Sequence, residues 1–202
     1  MKILAVTLEK CSGCAIFIDD KIVFSASEER YTNIKSDSSF PKNCIEDGLK
    51  FCELKAKDLD QVLICGNKIS LIPSLTNEYS NVSVDEQLKI MREYWYPNLV
   101  EKQNKSFLEV IKNRINLEQF PFNTELGKKF DYTRLENPYT EEDGKKVSEF
   151  FKKILAQFLD IDIGKIIHIE HDDCHASYGF YGSPIRDDNT LIVTADGWGD
   201  DL

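Results

Sequence analysis

The stretch KILAVTLEKCSGCAIFIDDKIVFSA at residues 2–26 decides the fold. Its three apolar runs, KILAVT, CAIFI and KIVFSA, are separated by short polar joints, and the Asp19-Asp20 pair supplies the second hairpin turn. The pattern predicts an antiparallel meander of three strands. Downstream, CIEDGLKFCEL at 44–54 has apolar residues at helical spacing, and LDQVLICG at 59–66 is typical of a buried strand. A meander followed by a helix and a strand indicates an α/β domain.

Strand signals fade between about residues 71 and 160, which predicts a mainly helical insertion. Its helices are expected in VDEQLKIMREYWYPNLVEKQ, SFLEVIKNRI and EEDGKKVSEFFKKILAQFL. Ser83 followed by Glu86 forms a capping-box pattern that marks the start of the first of them. Regular α/β structure then resumes, with KIIHI as a strand, EHDDCHASYGFY as a helix and TLIVTAD as a strand that runs into GWGDD.

Composition excludes several classes of function. The chain has 202 residues, 42% of them hydrophobic, and a net charge of −10, so it offers no overall attraction to nucleic acid or to an anionic membrane surface. A small or neutral ligand is the better expectation. No stretch reaches the length of a membrane span, and six cysteines are too few for a disulfide framework. We therefore expect a cytoplasmic protein whose cysteines are mostly reduced core residues.

All three histidines of the chain fall within eight residues, at 168, 171 and 175. His171 and His175 are four residues apart on a predicted helix, so their imidazoles project from one face and can reach a single ion. Spacing alone leaves a surface or capping pair as the commoner interpretation. His168 lies on the preceding predicted strand, where a partly buried histidine bonded to backbone is expected.

Asp196 strengthens the metal interpretation. It ends a predicted strand and is followed by Gly197 and Gly199, at a position where α/β folds bind ligands and where backbone amides can approach a phosphate. Two histidines and one carboxylate suit a divalent first-row metal. A zinc site of Cys11, Cys14, His171 and His175 is the alternative ligand set. The segment from Glu28 to Lys35 contains both acidic and basic residues. Taken alone, this composition predicts a solvated loop with a few ion pairs.

Four segments in order carry a resemblance to a known family: KIVFSASEERYTNIKSDSSFP, DEQLKIMREYWYPNL, EHDDCHASYGFYGSP and LIVTADGWGD. They resemble the N-terminal domain of the nodulation and antibiotic O-carbamoyltransferases, whose patterns run EERFTRxKHDxxFP, HHxxHAASAF and DGxGD. The domain is related to the metal-binding subunit of the tRNA threonylcarbamoyl machinery. The resemblance implies a ribonuclease-H-like lobe of the actin, sugar-kinase and Hsp70 superfamily, with the second lobe and an adenylate-forming domain absent from residues 1–202.

The resemblance also implies the chemistry. His171, His175 and Asp196 would be the ligands of a divalent metal, with iron(II) expected, and His171 and His175 would be catalytic. ATP and carbamoyl phosphate would give carbamoyl adenylate elsewhere in the protein, and the carbamoyl group would pass to a hydroxyl of a small molecule. Phosphate or adenylate would bind at Gly197, Gly199 and Asp200, and the cleft would be lined by Glu29, Arg30 and Lys35.

Two departures from the family pattern stand out. Asp172 replaces the middle histidine, and Lys10-Cys11 occupies the place of a His-Asp pair in the first hairpin. The chain alone is expected to be inactive without the remaining parts of the protein. Two other functions stay open: a non-catalytic metal-binding or regulatory module, and an ATP-binding lobe of kinase type. Against the second, this chain lacks the Asp-Gly-Thr-type turn that ATP-binding lobes of kinase type carry in the first hairpin.

Overall fold

The computed structural model describes residues 1–8, 10–66, 71–76, 82–132, 141–185, 187 and 189–195. The strands are β1 Lys2–Thr7, β2 Gly13–Ile18, β3 Lys21–Ser27, β4 Gln61–Cys65 and β5 Ile166–Ile169. The α-helices are α1 Glu29–Thr32, α2 Lys42–Phe51, α3 Leu71–Thr76, α4 Val84–Ile90, α5 Tyr96–Leu99, α6 Phe107–Ile111, α7 Glu125–Lys128, α8 Glu141–Leu159 and α9 His171–Gly182. A π-helical turn, Met91–Trp95, joins α4 to α5, and 3-10 turns lie at Ala56–Asp58, Lys112–Arg114 and Ile163–Lys165.

The five strands form one mixed sheet in the order β3-β2-β1-β4-β5. The pairs β1–β2 and β2–β3 are antiparallel, which confirms the predicted meander. The pairs β1–β4 and β4–β5 are parallel. The predicted α/β class is therefore confirmed, and the carboxyl ends of β1, β4 and β5 meet at one edge of the sheet.

One face of the sheet is covered and carries the main core. Its alternate residues, including Leu4, Val6, Val62 and Ile64, are at most 1% exposed, as the period of two in a strand requires. The helices α2 and α8 contribute to the same core, and α8 supplies Val147, Phe150, Phe151, Ile154 and Leu155. On the opposite face, Ile3, Ala5 and Leu63 are only partly buried, and Ile167 is 41% exposed.

The segment after β3 is more ordered than a solvated loop, so that expectation was wrong. Glu28 is 1% exposed and Asp37 is fully buried. The Glu28 carboxylate accepts hydrogen bonds from the backbone N–H groups of Asn43 and Cys44, at 3.1 and 3.0 Å, and so caps the first turn of α2. Its own backbone N–H donates to the Ser12 carbonyl at 2.8 Å. The acidic residues of this segment therefore join the first hairpin turn to helix α2.

The described residues between β4 and β5 form helices and turns. Ser83 caps α4 and shares a capping box with Glu86, as the sequence predicts. Ile90, Tyr94 and Phe107 belong to a second, smaller hydrophobic cluster within this region. Among the helices in the described ranges, none combines the length and apolar character needed to cross a membrane.

The prediction of a strand at 190–196 is wrong for the part of it that the structure describes. Its described part, residues 190–195, makes no strand ladder with the sheet. Leu191 and Val193 are 85% and 77% exposed, and Ile192 faces Gly179 of α9. An apolar β-branched run favours a strand only when a neighbouring strand or a packing face is present, and here the segment runs along α9 instead.

Candidate functional site

The candidate site lies where the parallel strands end. Cys65, the last residue of β4, is paired in register with Ile169, the last residue of β5, and the Gly66 N–H donates to the Ile169 carbonyl at 2.7 Å. Helix α9 begins two residues later at His171. Thr7, the last residue of β1, reaches the same edge because β1 runs parallel to β4. This edge is where α/β sheets usually bind their ligands.

His171 and His175 meet on one face of α9. Their Nε2 atoms lie 3.0 Å apart and their ring centroids 4.6 Å apart, with the planes at 68°. At most one of these two nitrogens can carry a proton at that distance, because two N–H groups cannot point at each other. The arrangement therefore presents at least one imidazole lone pair toward the space between the rings.

A cleft of about 320 Å³ opens beside the histidines. It is lined by Thr7, Lys10, Cys65, Gly66, His171, Cys174 and His175. A second cleft of about 220 Å³ shares His175 and is otherwise lined by Gly179 and residues 192–195. His175 thus stands between the strand-end cleft and the segment that leads toward Asp196.

Two thiols form part of the first cleft. Burial, together with the neighbouring Cys174 thiol, raises the pKa of Cys65 to about 12. The Cys65 side chain is therefore a neutral thiol at neutral pH. No local pattern in the sequence marks this residue as part of a site, because only the strand order brings the end of β4 to the start of α9.

Cys11 and Cys14 do not join this cleft. Cys14 is 6% exposed in the core, and its thiol interacts with Cys44, whose pKa is raised by that hydrogen bond and by burial. Cys11 is exposed in the turn before β2. Across the described ranges, no group of three or more His, Cys, Asp and Glu side chains is arranged to hold a metal ion, so the zinc set of Cys11, Cys14, His171 and His175 is not assembled.

His168 makes the kind of backbone contact that the sequence predicts. Its Nδ1 lies 3.1 Å from the Gly66 carbonyl oxygen, so Nδ1 carries the proton. Its Nε2 is buried and has no hydrogen-bond partner among the described atoms. This ring is not among the residues that line the cleft, and its role is to hold the loop after β4 against β5.

Some of the remaining predicted site residues lie away from the clefts, and others lie outside the described residues. Glu29, Arg30 and Lys35 do not line either cleft: Glu29 accepts the Ser36 N–H at 2.9 Å, and the Lys35 ammonium lies 3.9 Å from it. Lys10, which the resemblance places at the family's histidine position, does line the first cleft. The predicted site residues Asp196, Gly197, Gly199 and Asp200 lie outside the described residues.

The structure is thus an α/β domain with a histidine-lined cleft at the carboxyl edge of its parallel strands. A family model for the carbamoyltransferase N-terminus matches residues 2–201. The chain therefore belongs to the carbamoyltransferase N-terminal family. Membership of this family indicates carbamoyl transfer as the activity of the full-length protein. No curated protein matches the sequence.

Proposed function

We propose that this chain is the acceptor-side domain of an O-carbamoyltransferase and that its strand-end cleft is the transfer site. In this proposal His171, His175 and Asp196 hold a divalent metal, iron(II) being the first candidate. The observation that carries the proposal is the 3.0 Å separation of the two Nε2 atoms inside a cleft at the carboxyl edge of the sheet.

The histidine pair fits two positions of a metal site. Two nitrogens that each lie about 2.1 Å from one ion and subtend about 90° at it are about 3.0 Å apart. Imidazole nitrogens suit iron, zinc and other first-row metals alike, so this pair does not select the metal. The separation in the structure therefore matches the spacing of two neighbouring ligand positions of one ion.

Asp196 is proposed as the third ligand because the resemblance gives it that role. The described residues that precede it, 192–195, line the second cleft together with His175. A carboxylate added to two imidazoles would leave open positions for a substrate.

The metal, when bound, would act as a Lewis acid toward the carbamoyl carbonyl. The other residues of the cleft supply binding and orientation. Lys10 brings a cation to the cleft, and this charge favours an anionic group such as the phosphate of a carbamoyl donor. The Thr7 hydroxyl can donate to or accept from an acceptor hydroxyl. Cys65 stays neutral and adds no competing negative charge.

The co-substrates in this proposal are ATP and carbamoyl phosphate, which give carbamoyl adenylate in a separate domain. The carbamoyl group then passes to a hydroxyl of a small-molecule acceptor. Gly197, Gly199 and Asp200 are proposed to bind phosphate or adenylate. Glu29, Arg30 and Lys35 are proposed to bind substrate or nucleotide at a place outside the two described clefts.

The strand order supports a ribonuclease-H-like lobe. Three antiparallel strands followed by two parallel ones, in the order β3-β2-β1-β4-β5, agree with that architecture. Helix α9 has no buried residue, and Tyr178 and Tyr181 are 81% and 67% exposed. We propose that a second lobe and an adenylate-forming domain of the full-length protein complete the active site, and that residues 1–202 alone do not transfer carbamoyl groups.

The test is metal binding by the chain and carbamoyl transfer by the full-length protein. We expect one cobalt(II) or iron(II) ion per chain under anaerobic calorimetry, and loss of that binding in a His171→Ala, His175→Ala double variant. Asp173→Asn is the matched control, because Asp173 is exposed on the same helix turn but does not line either cleft.

Thermal unfolding by circular dichroism must show that all three proteins are folded. Retained metal binding in the double variant would contradict the proposed ligands. Unchanged carbamoyl transfer in the same variant of the full-length protein would contradict the proposed catalytic role.

A further inference from the structure

The cleft contains a pair of thiols that the proposed transfer chemistry does not use. Cys65 ends β4, and Cys174 lies in the first turn of α9, where its N–H donates to the Glu170 carbonyl at 3.1 Å. Both line the first cleft, and the neighbouring Cys174 thiol contributes to the raised pKa of Cys65. They come from segments 109 positions apart in the chain, which the parallel pairing of β4 and β5 brings together.

A second pair of neighbouring thiols in the chain provides an internal comparison. Cys14 and Cys44 also interact, but they are 6% and 0% exposed within the main core. Cys65 and Cys174 are partly exposed and open to a cleft. Thiol–disulfide exchange requires access of the oxidant to sulfur, so the same chemistry is available to one pair and closed to the other.

We infer that Cys65 and Cys174 form a reversible disulfide in the cleft, and that this bond switches off the neighbouring histidine pair. The first part rests on the cleft that both thiols line and on the β4–β5 pairing that brings the end of β4 beside the start of α9. The second part rests on the proposed metal function of His171 and His175.

The oxidant class is a small-molecule disulfide, with glutathione disulfide as the probe. One protein thiol loses its proton and attacks a glutathione sulfur, which forms a mixed disulfide and releases one glutathione thiol. The second protein thiol loses its proton and attacks the protein sulfur of that mixed disulfide, which forms the Cys65–Cys174 bond and releases the second glutathione. Two protein thiols are oxidised, and one glutathione disulfide is reduced to two thiols.

The bond would act on the histidines through helix α9. A disulfide brings two sulfur atoms to about 2.05 Å and fixes the torsion about them, whereas thiols in contact are much farther apart. Cys174 directly precedes His175 and lies between the two histidines on the helix. Bond formation therefore pulls the first turn of α9 toward the end of β4, which narrows the cleft beside the two histidines and leaves less room for a metal ion and its other ligands.

The first experiment measures the bond itself. The purified chain is equilibrated over a range of glutathione to glutathione disulfide ratios, trapped with an alkylating agent, digested and analysed by mass spectrometry. We expect a peptide pair joined through Cys65 and Cys174, reversed by excess reduced glutathione, with Cys14 and Cys44 still unlinked. Cys65→Ser and Cys174→Ser should each abolish it, whereas Cys14→Ser should leave it unchanged.

The absence of this linked pair at every ratio, or equal linkage of Cys14 to Cys44, would overturn the inference. Circular dichroism of each variant identifies any that fails to fold. The wild-type result needs no variant, so the test of the bond does not depend on the folding of the serine substitutions.

The second experiment measures the switch. Cobalt(II) affinity is compared between the reduced and the oxidised chain, with Cys174→Ser treated in the same way as a control that cannot form the bond. We expect roughly tenfold weaker binding after oxidation, the order of effect seen when the groups around metal ligands are perturbed, and no change in Cys174→Ser. Equal affinity of both forms would refute the switch while the bond stands. Failure of both forms to bind cobalt would refute the metal site, and mass spectrometry would still decide the bond.

Discussion

Removal of the Glu28 carboxylate should destabilise the chain far more than removal of the adjacent Glu29 carboxylate. Glu28 is 1% exposed and accepts from the backbone N–H groups of Asn43 and Cys44 and from the Asn43 side-chain amide. Its substitution by alanine leaves the first turn of α2 without a cap. Asn43 is exposed and water can replace its lost bonds, but Cys44 is fully buried and its N–H would keep no partner.

The expected magnitude follows from these bonds. A lost cap costs about 1 kcal/mol, and a buried donor deprived of a charged acceptor costs about 1.5 to 3 kcal/mol. We therefore expect Glu28→Ala to lower the free energy of unfolding by about 3 kcal/mol. Glu29 accepts one backbone N–H, from Ser36, and lies 3.9 Å from an exposed Lys35 ammonium, so Glu29→Ala should cost under about 1 kcal/mol.

Urea unfolding followed by circular dichroism measures both variants. With a slope of about 2 kcal/mol per molar urea, Glu28→Ala should move the midpoint down by about 1.5 M and Glu29→Ala by less than about 0.5 M. Glu28→Gln should fall between them, because it keeps one acceptor oxygen and presents an amide donor to the other N–H. Equal midpoints for the two alanine variants would refute the assignment of Glu28 as the cap of α2.

Three further predictions concern packing and titration. Gly127→Ala should lower the free energy of unfolding by about 2 kcal/mol, because an added Cβ would lie 2.2 Å from the Pro121 carbonyl oxygen. Gly179→Ala, on exposed α9, should instead stabilise by up to about 1 kcal/mol through helix propensity; urea midpoints for both variants decide between a steric and a propensity effect. Phe151→Ala should cost about 4 kcal/mol in the same assay, since the ring is fully buried, and a cost under about 1 kcal/mol would contradict its place in the core. The pKa of the Cys65 thiol is raised from 9.0 to about 12, so between these pH values the unfolded thiol ionises while the folded thiol keeps its proton. The free energy of unfolding should therefore fall as the pH rises across this window. Cys65→Ala should lose less stability than wild type there, and parallel pH profiles of the two proteins would contradict this.

The elements of the fold that the sequence predicts well are those with a strong local period. The meander at the start of the chain, the buried strand at β4 and the long helix α8 all follow from the spacing of apolar residues. The segment at 190–196 has an equally strong apolar pattern, yet its described part makes no ladder. A strand depends on a neighbour that pairs with it, and that neighbour cannot be read from the segment itself.

In the candidate site too, some residues can be recognised from the sequence and others cannot. His171 and His175 are recognisable from the sequence because the helix alone sets their spacing, and the structure brings their Nε2 atoms to 3.0 Å. Cys65 and Thr7 have no such signal, since their presence in the cleft depends on which strands are neighbours. Glu28 was misread because its charge suggested a solvated position, whereas the backbone donors of a helix start satisfy that charge in the interior.

The arrangement of the cleft also indicates which parts of the chain can tune its chemistry. The histidine pair is set within a single helix, so its internal spacing is insensitive to movement elsewhere in the domain. The opposite wall comes from the ends of β1 and β4, and its distance from the histidines depends on the parallel registers β1–β4 and β4–β5. A bond between Cys65 and Cys174 would join the two walls of the cleft, since it ties the end of β4 to the helix that carries both histidines. Changes in sheet register or in that thiol pair should therefore alter the site, whereas the helices at residues 84–115, which line neither cleft, should affect it only through overall stability.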